Sequence, residues 1–196
     1  MAVCRFLYVF WMPTAAYAPF GNHGIDGMDW SRMFGADVVV FGCGNVLFGD
    51  DGLGPLAMAE LAAAPDAATA FAHAAFIDAG TSIRPLLLDL TLCGARPRRV
   101  VLVDVVQEPE REPGSLREED LDAHPRADPA GGFLHHAPTW GLLRRLRDEA
   151  GTEVIVLTVQ AGRIPELMDD ALSPEARTAL PRVVRRIREL CCLQAD

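Results

Sequence analysis

Two acidic residues and a histidine stand where an α/β protein keeps its ligands. Asp51 lies in a glycine-rich stretch, Gly42-Cys43-Gly44-Asn45-Val46-Leu47-Phe48-Gly49-Asp50-Asp51-Gly52-Leu53-Gly54, that follows an apolar run. Asp104 sits inside the end of a second apolar run, and His135 and His136 stand just ahead of a helical pattern. Carboxylate oxygens and imidazole nitrogens suit nickel, zinc or manganese, and three protein ligands leave positions open for a substrate or water. Each residue also has an ordinary reading. Asp51 could cap the helix that follows it, Asp104 could accept from backbone donors, and His135 could be a solvated loop residue. Taken singly, the ordinary readings weigh more; taken together, on three adjacent strand ends, the residues favour a divalent-metal site. Cys43 reads as a small residue filling a tight turn rather than as a nucleophile.

The glycine-rich stretch is not a dinucleotide fingerprint. That motif needs glycine at position 47, where Leu47 stands. It would also bring pyrophosphate against Asp50 and Asp51, and like charges repel. Neither a Ser-His-Asp arrangement nor an HExxH zinc motif is visible.

The elements that must position these groups alternate in period. Val38-Val39-Val40-Phe41 is a β-branched run ending in glycines, the pattern of a buried parallel strand. Leu53 to Ala64 reads as a helix, His73 to Ile77 as a weaker strand, and Ile83 to Leu92 as a helix that stops near Gly94. Arg99 to Val106 is the strongest strand signal. Gln107 to Gly132 is rich in Pro, Glu, Asp and Arg and reads as a long loop with room for one short strand. Thr139 to Ala150 is an amphipathic helix, with Leu142, Leu143 and Leu146 on its core face, and Val154 to Val159 is a further strand. Ser173-Pro174-Glu175 opens a last helix reaching about Leu193: serine caps, proline fits the first turn, and glutamate meets the positive helix end. Strands alternating with helices predict an α/β fold, a doubly wound three-layer sandwich with a mostly parallel twisted sheet. In such sheets ligands collect beyond the carboxyl ends of the strands. That places Asp51 after the first strand, Asp78-Ala79-Gly80-Thr81 after the second and Asp104 at the end of the third.

Length and composition bound the rest. The 196 residues are enough for one domain with a sizeable core, and 50% are hydrophobic. The net charge of −9 argues against a nucleic-acid partner, because phosphate neutralisation needs clustered cations. All 18 basic residues are arginine, a mark of base composition rather than mechanism. The five cysteines include no CxxC pair, so a disulfide framework or structural zinc site is not expected and a cytoplasmic location is. Residues 1–36 read as an N-terminal extension without packed structure and residues 37–196 as a single domain. The apolar start, with Ala16-Tyr17-Ala18 as a cleavage-like site, has the look of a weak signal peptide, but Pro13 interrupts it and it is too short for a membrane span. No membrane partner is expected.

Taken in order, four segments resemble the motifs of the hydrogenase maturation endopeptidases. They are Phe41 to Gly54, Asp78-Ala-Gly-Thr81, Val101-Leu-Val-Asp-Val-Val106 and His135-His-Ala-Pro-Thr139, and the resemblance spans about Asp37 to Leu190. It implies a protease that trims the C-terminal tail of a [NiFe] hydrogenase large-subunit precursor. Asp51, Asp104 and His135 then engage the nickel already seated in the precursor. Asn45, Asp78, Thr81 and His136 are candidate substrate contacts, with Asp78 and Thr81 open to the alternative of only shaping a turn. His135 is preferred over His136 because it puts Pro138 three residues on; Phe133, where the family often has Ser or Thr, departs from the pattern. The nickel is the substrate's recognition element, and no tightly bound cofactor is implied. Two other classes compete: a non-catalytic metal-sensing chaperone of the large subunit, and a self-sufficient metallohydrolase carrying its own metal.

Overall fold

Val38–Cys43 (β1) is buried at every position, as a β-branched strand covered on both faces must be. The computed structural model describes residues 33–124 and 137–192. Within them β1 is joined by β2 (Ala74–Gly80), β3 (Arg99–Val106), β4 (Leu116–Glu119) and β5 (Glu153–Gln160). The sheet order is β2-β1-β3-β5-β4. β1 pairs in parallel with β2 and β3, and β3 with β5; β4 alone runs antiparallel, along the edge of β5. The helices are α1 (Leu53–Ala63), the single turn α2 (Ala67–Ala70), α3 (Ile83–Leu92), α4 (Ala137–Ala150) and α5 (Pro174–Cys191).

Side-chain alternation along the strands divides the core in two. Val38, Val40, Val101, Val103, Ile155 and Leu157 pack on the side of α1 and α5. Val39, Phe41, Val100, Leu102 and Val156 pack on the other side, with Leu87 and Leu90 of α3 and Leu143 and Leu146 of α4. This is the three-layer α/β architecture that the alternating patterns predict. Met33, ahead of β1, is also buried in the second cluster, with Phe34 and Ala36 packed against it.

One boundary differs from the sequence reading. β2 runs three residues beyond Ile77, because it stays in parallel register with β1 as far as Cys43↔Gly80. Asp78 therefore lies on the strand, beside a register shift between Gly42 and Cys43, and not in the loop after it. The described part of the segment after β3 holds the one short strand that its sequence has room for. It carries β4 and a 3-10 turn, Leu121–Ala123. Arg111 anchors it, donating to Thr158 Oγ1 at 2.8 Å and to Thr158 O at 2.6 Å on β5. The last helix begins as expected: Ser173 Oγ accepts from Ala176 N at 3.1 Å, with Pro174 and Glu175 in the first turn.

The chain steps from β1 outward to β2, then returns past β1 to β3 and β5. Connections leaving β1 and β3 thus diverge, and a crevice opens beyond the carboxyl ends of those two strands. The glycine-rich segment lines it. A Cβ on Gly54 would stand 2.3 Å from Cys43 O, and one on Gly42 would stand 2.4 Å from Gly54 O. The first turn of α1 therefore rests directly on the end of β1, which only a glycine pair allows. We expect Gly54→Ala to cost about 3 kcal/mol, the upper range for overpacking a closed contact. Gly141 of α4 has open space around it, so Gly141→Ala should stabilise by about 1 kcal/mol through helix propensity. Urea denaturation of the two variants beside the parent checks the opposite signs.

Candidate functional site

The adjacent carboxylates of the first motif do different work. Both lie in a 3-10 turn, Gly49–Gly52, between β1 and α1. Asp50 is 0% exposed. Its Oδ1 accepts from Ser173 N at 2.7 Å. Its Oδ2 accepts from Gly162 N and Arg163 N, each at 2.7 Å, and from Ser173 Oγ at 2.8 Å. The carboxylate thus ties the first loop to the β5–α5 connection and to the residue that caps α5. Two N–H groups of the loop after β5 and one at the helix start thus converge on one anion. Sequence reasoning passed over Asp50; the available signal was the helix-capping serine at Ser173, which marks where a cluster of backbone donors would form.

Asp51 turns the other way and is only half buried. The N-cap position of α1 is Gly52, and no side chain caps that helix. The capping reading of Asp51 is therefore not what forms. Its Oδ2 accepts instead from Asn45 N at 2.7 Å, closing the loop on itself. Gly44, at φ +122°, leaves room for this return: a Cβ there would fall 1.8 Å from Asp51 O. Partial burial pushes the Asp51 carboxyl above its ordinary value, opposed by the Asn45 N–H bond. Asn45 is committed to the same loop, its Oδ1 accepting from Leu47 N at 3.0 Å.

Asp104 continues the row of Val100 and Leu102 on β3, beside the row of Val39, Phe41 and Cys43 on β1. Its Oδ1 accepts from Val105 N at 2.8 Å, the strand-end backbone contact expected of an ordinary residue, and it is partly exposed. Asp78 on β2 is also partly exposed and accepts from Gly80 N at 2.8 Å. Burial raises its carboxyl above the ordinary value, with that hydrogen bond opposing. Thr81 is exposed at the turn that follows.

Cys43 reports on all three acids. Burial first, then the charges of Asp104, Asp78 and Asp51, hold its thiol well above the usual range. Carboxylates from three separate elements thus act on one point at the end of β1. A thiol in such a field stays protonated, which removes the nucleophile reading, since that role needs a lowered pKa. Among the described residues, no three His, Cys, Asp or Glu side chains are grouped so as to hold a metal ion by themselves. His135 and His136, the sequence candidates for the imidazole, lie outside the described residues. The helix they precede has Leu143 and Leu146 buried on its core face, as its sequence pattern predicts.

Comparison with known proteins adds an independent line. Residues 60–190 match the family model described as hydrogenase maturation protease. The chain is 30% identical over 162 residues to the coenzyme F420 hydrogenase subunit delta of Methanothermobacter thermautotrophicus, covering 79% of this chain and 94% of that protein. It superposes on the crystal structure of a hydrogenase 3 maturation protease with a TM-score of 0.62 at 27% identity, covering 78% of this chain and 90% of that one. It superposes on the solution structure of the endopeptidase HycI from Escherichia coli with a TM-score of 0.58 at 25% identity, covering 78% and 89% respectively.

Two outcomes follow from the acidic residues. Asp50→Ala removes the shared acceptor of Gly162 N, Arg163 N and the buried Ser173 N and should cost about 3 kcal/mol in urea denaturation. Asp78 carries the opposite sign. Its raised folded-state pKa means that the native protein keeps a proton the unfolded chain has lost above the ordinary value of 3.8. Stability therefore falls as pH rises through the window between the two pKa values. Asp78→Asn, which keeps the acceptor for Gly80, should melt higher than the parent at pH 7 and show no gain at pH 3, as thermal unfolding at the two pH values would reveal.

Proposed function

The chain belongs to the hydrogenase maturation protease family, and on that premise we propose that it is an endopeptidase removing the C-terminal extension of a nickel-loaded [NiFe] hydrogenase large-subunit precursor. A role in hydrogenase maturation belongs to the family; the particular cleavage is our reading. The observation that supports it most is the placement of Asp51, Asp78 and Asp104 at the carboxyl ends of β1, β2 and β3, on either side of Gly42 and Cys43. An acidic field in a crevice attracts a cation, and partly exposed carboxylates can reach one presented from outside.

In this reading the precursor brings the nickel, held at its own cysteine site. Asp51 and Asp104 supply oxygen donors and His135 an imidazole nitrogen. Gripping the nickel fixes the precursor's position, so that the bond after its last metal-binding motif lies at the site. Such positioning accounts for much of the rate. Polarisation of the scissile carbonyl, or of a water bound beside it, accounts for the rest. Asn45, Asp78 and Thr81 lie on the same side as Asp51 and are candidate substrate contacts, as is His136; Asn45 acts chiefly by holding the Asp51 loop in shape. Among the described residues, no helix is long and apolar enough to cross a membrane.

Asp51→Ala and His135→Ala should each lower tail removal from nickel-loaded precursor at least about 100-fold, the scale of losing one preorganised electrostatic group, with unchanged circular dichroism. Intact-mass spectrometry of the precursor gives the readout. Full processing by both variants would overturn the assignment of these residues. Complex formation by the parent protein without any mass loss would favour the chaperone reading instead.

A further inference from the structure

Four large apolar side chains stand in water on two neighbouring loops: Val46 at 41% exposure, Leu47 at 46%, Leu167 at 82% and Met168 at 68%. The loops are stitched together. Asp169 N donates to Leu47 O at 3.0 Å, Gly49 N donates to Asp169 O at 2.7 Å, and Phe48 and Asp169 form a parallel bridge. From below, the Asp50 carboxylate holds Gly162 and Arg163. From the side, Arg163 pairs with Asp169 at 2.8 Å, and Asp169 Oδ1 accepts from Ala171 N at 3.1 Å. The Leu167–Met168 tip is therefore presented on a braced backbone. Apolar side chains held out in this way mark an interaction surface rather than a relaxed coil.

Position and charge indicate what it meets. Val46 and Leu47 lie between Asn45 and Asp51, whose backbone-to-carboxylate bond closes that loop. The patch is thus continuous with the carboxylate that reaches the proposed nickel site. Its rim is acidic: Glu166 and Asp170 are exposed beside Leu167 and Met168. A second copy of this chain, carrying its own net charge of −9, would meet that rim with like charge. An anionic lipid surface would be repelled for the same reason.

We propose that the Val46–Leu47 and Leu167–Met168 loops form the docking face for the folded large-subunit precursor. They would receive an apolar surface bordered by Arg or Lys beside its nickel site, and the proposal rests on the protease reading above. The two loops then act as one jaw, and contact with them brings the precursor's metal toward Asp51.

The test compares the parent, the double variant Leu167→Ser/Met168→Ser and a control, Leu92→Ser, which alters an exposed leucine (67%) on α3. Each is assayed for tail removal from nickel-loaded precursor and for precursor binding by surface plasmon resonance, with melting temperature and sedimentation velocity alongside. The expected result is a rise in KM of at least 10-fold for the double variant, falling on KM rather than kcat, with an unchanged melting temperature and a control that behaves as the parent. An unchanged KM in a working assay would overturn the docking face and leave the protease reading standing. If the parent binds precursor without cleaving it and the double variant loses binding, the docking face stands and cleavage falls. If the parent neither binds nor cleaves, both fall. A parent dimer that the double variant dissociates would assign the patch to a second copy and overturn the proposal.

Discussion

The Asp50 carboxylate, sealed from solvent, accepts from Gly162 N, Arg163 N, Ser173 N and Ser173 Oγ. Through that one group the loop after β1, the loop after β5 and the start of α5 become a single rigid unit. A buried carboxylate is costly unless its oxygens are fully satisfied. Here three backbone donors and a hydroxyl meet that demand, so the penalty of leaving water becomes a constraint on geometry. The neighbouring residue inherits the benefit. Asp51 can face the crevice because the residue before it is fixed from beneath.

The second constraint is the approach of α1 to β1. Gly42 and Gly54 let the helix start rest on the strand end. The turn between them is thereby forced back over the carboxyl end of the sheet, at the place where strand order reverses. The glycines of this segment serve backbone proximity: the spacing that looks like a fingerprint is set by the approach of a helix start to a strand end.

Crowding carboxylates in this crevice runs against stability. Asp51 and Asp78 are pushed toward their neutral forms by partial burial, and the thiol of Cys43 is held protonated among them. A site optimised for folding alone would replace one of these acids with a neutral group. Ionisable groups held at such a cost are commonly functional.

Much of the architecture is written in local pattern. β-branched runs at Val38, Arg99 and Val154 specify buried strands, and Ser173-Pro174-Glu175 specifies a helix start, because periodicity and capping act over a few residues. The four motif segments likewise identify the family from residue order alone. What local pattern could not carry was convergence. Which of Asp50 and Asp51 turns inward depends on donors at Gly162, Arg163 and Ser173, more than a hundred residues away. Asp78 lies on β2 only because pairing with β1 extends the strand past Ile77. The segment after β3 becomes an edge strand because Arg111 finds Thr158 on β5. These outcomes follow from sheet register and the placement of crossovers, which no window of sequence contains.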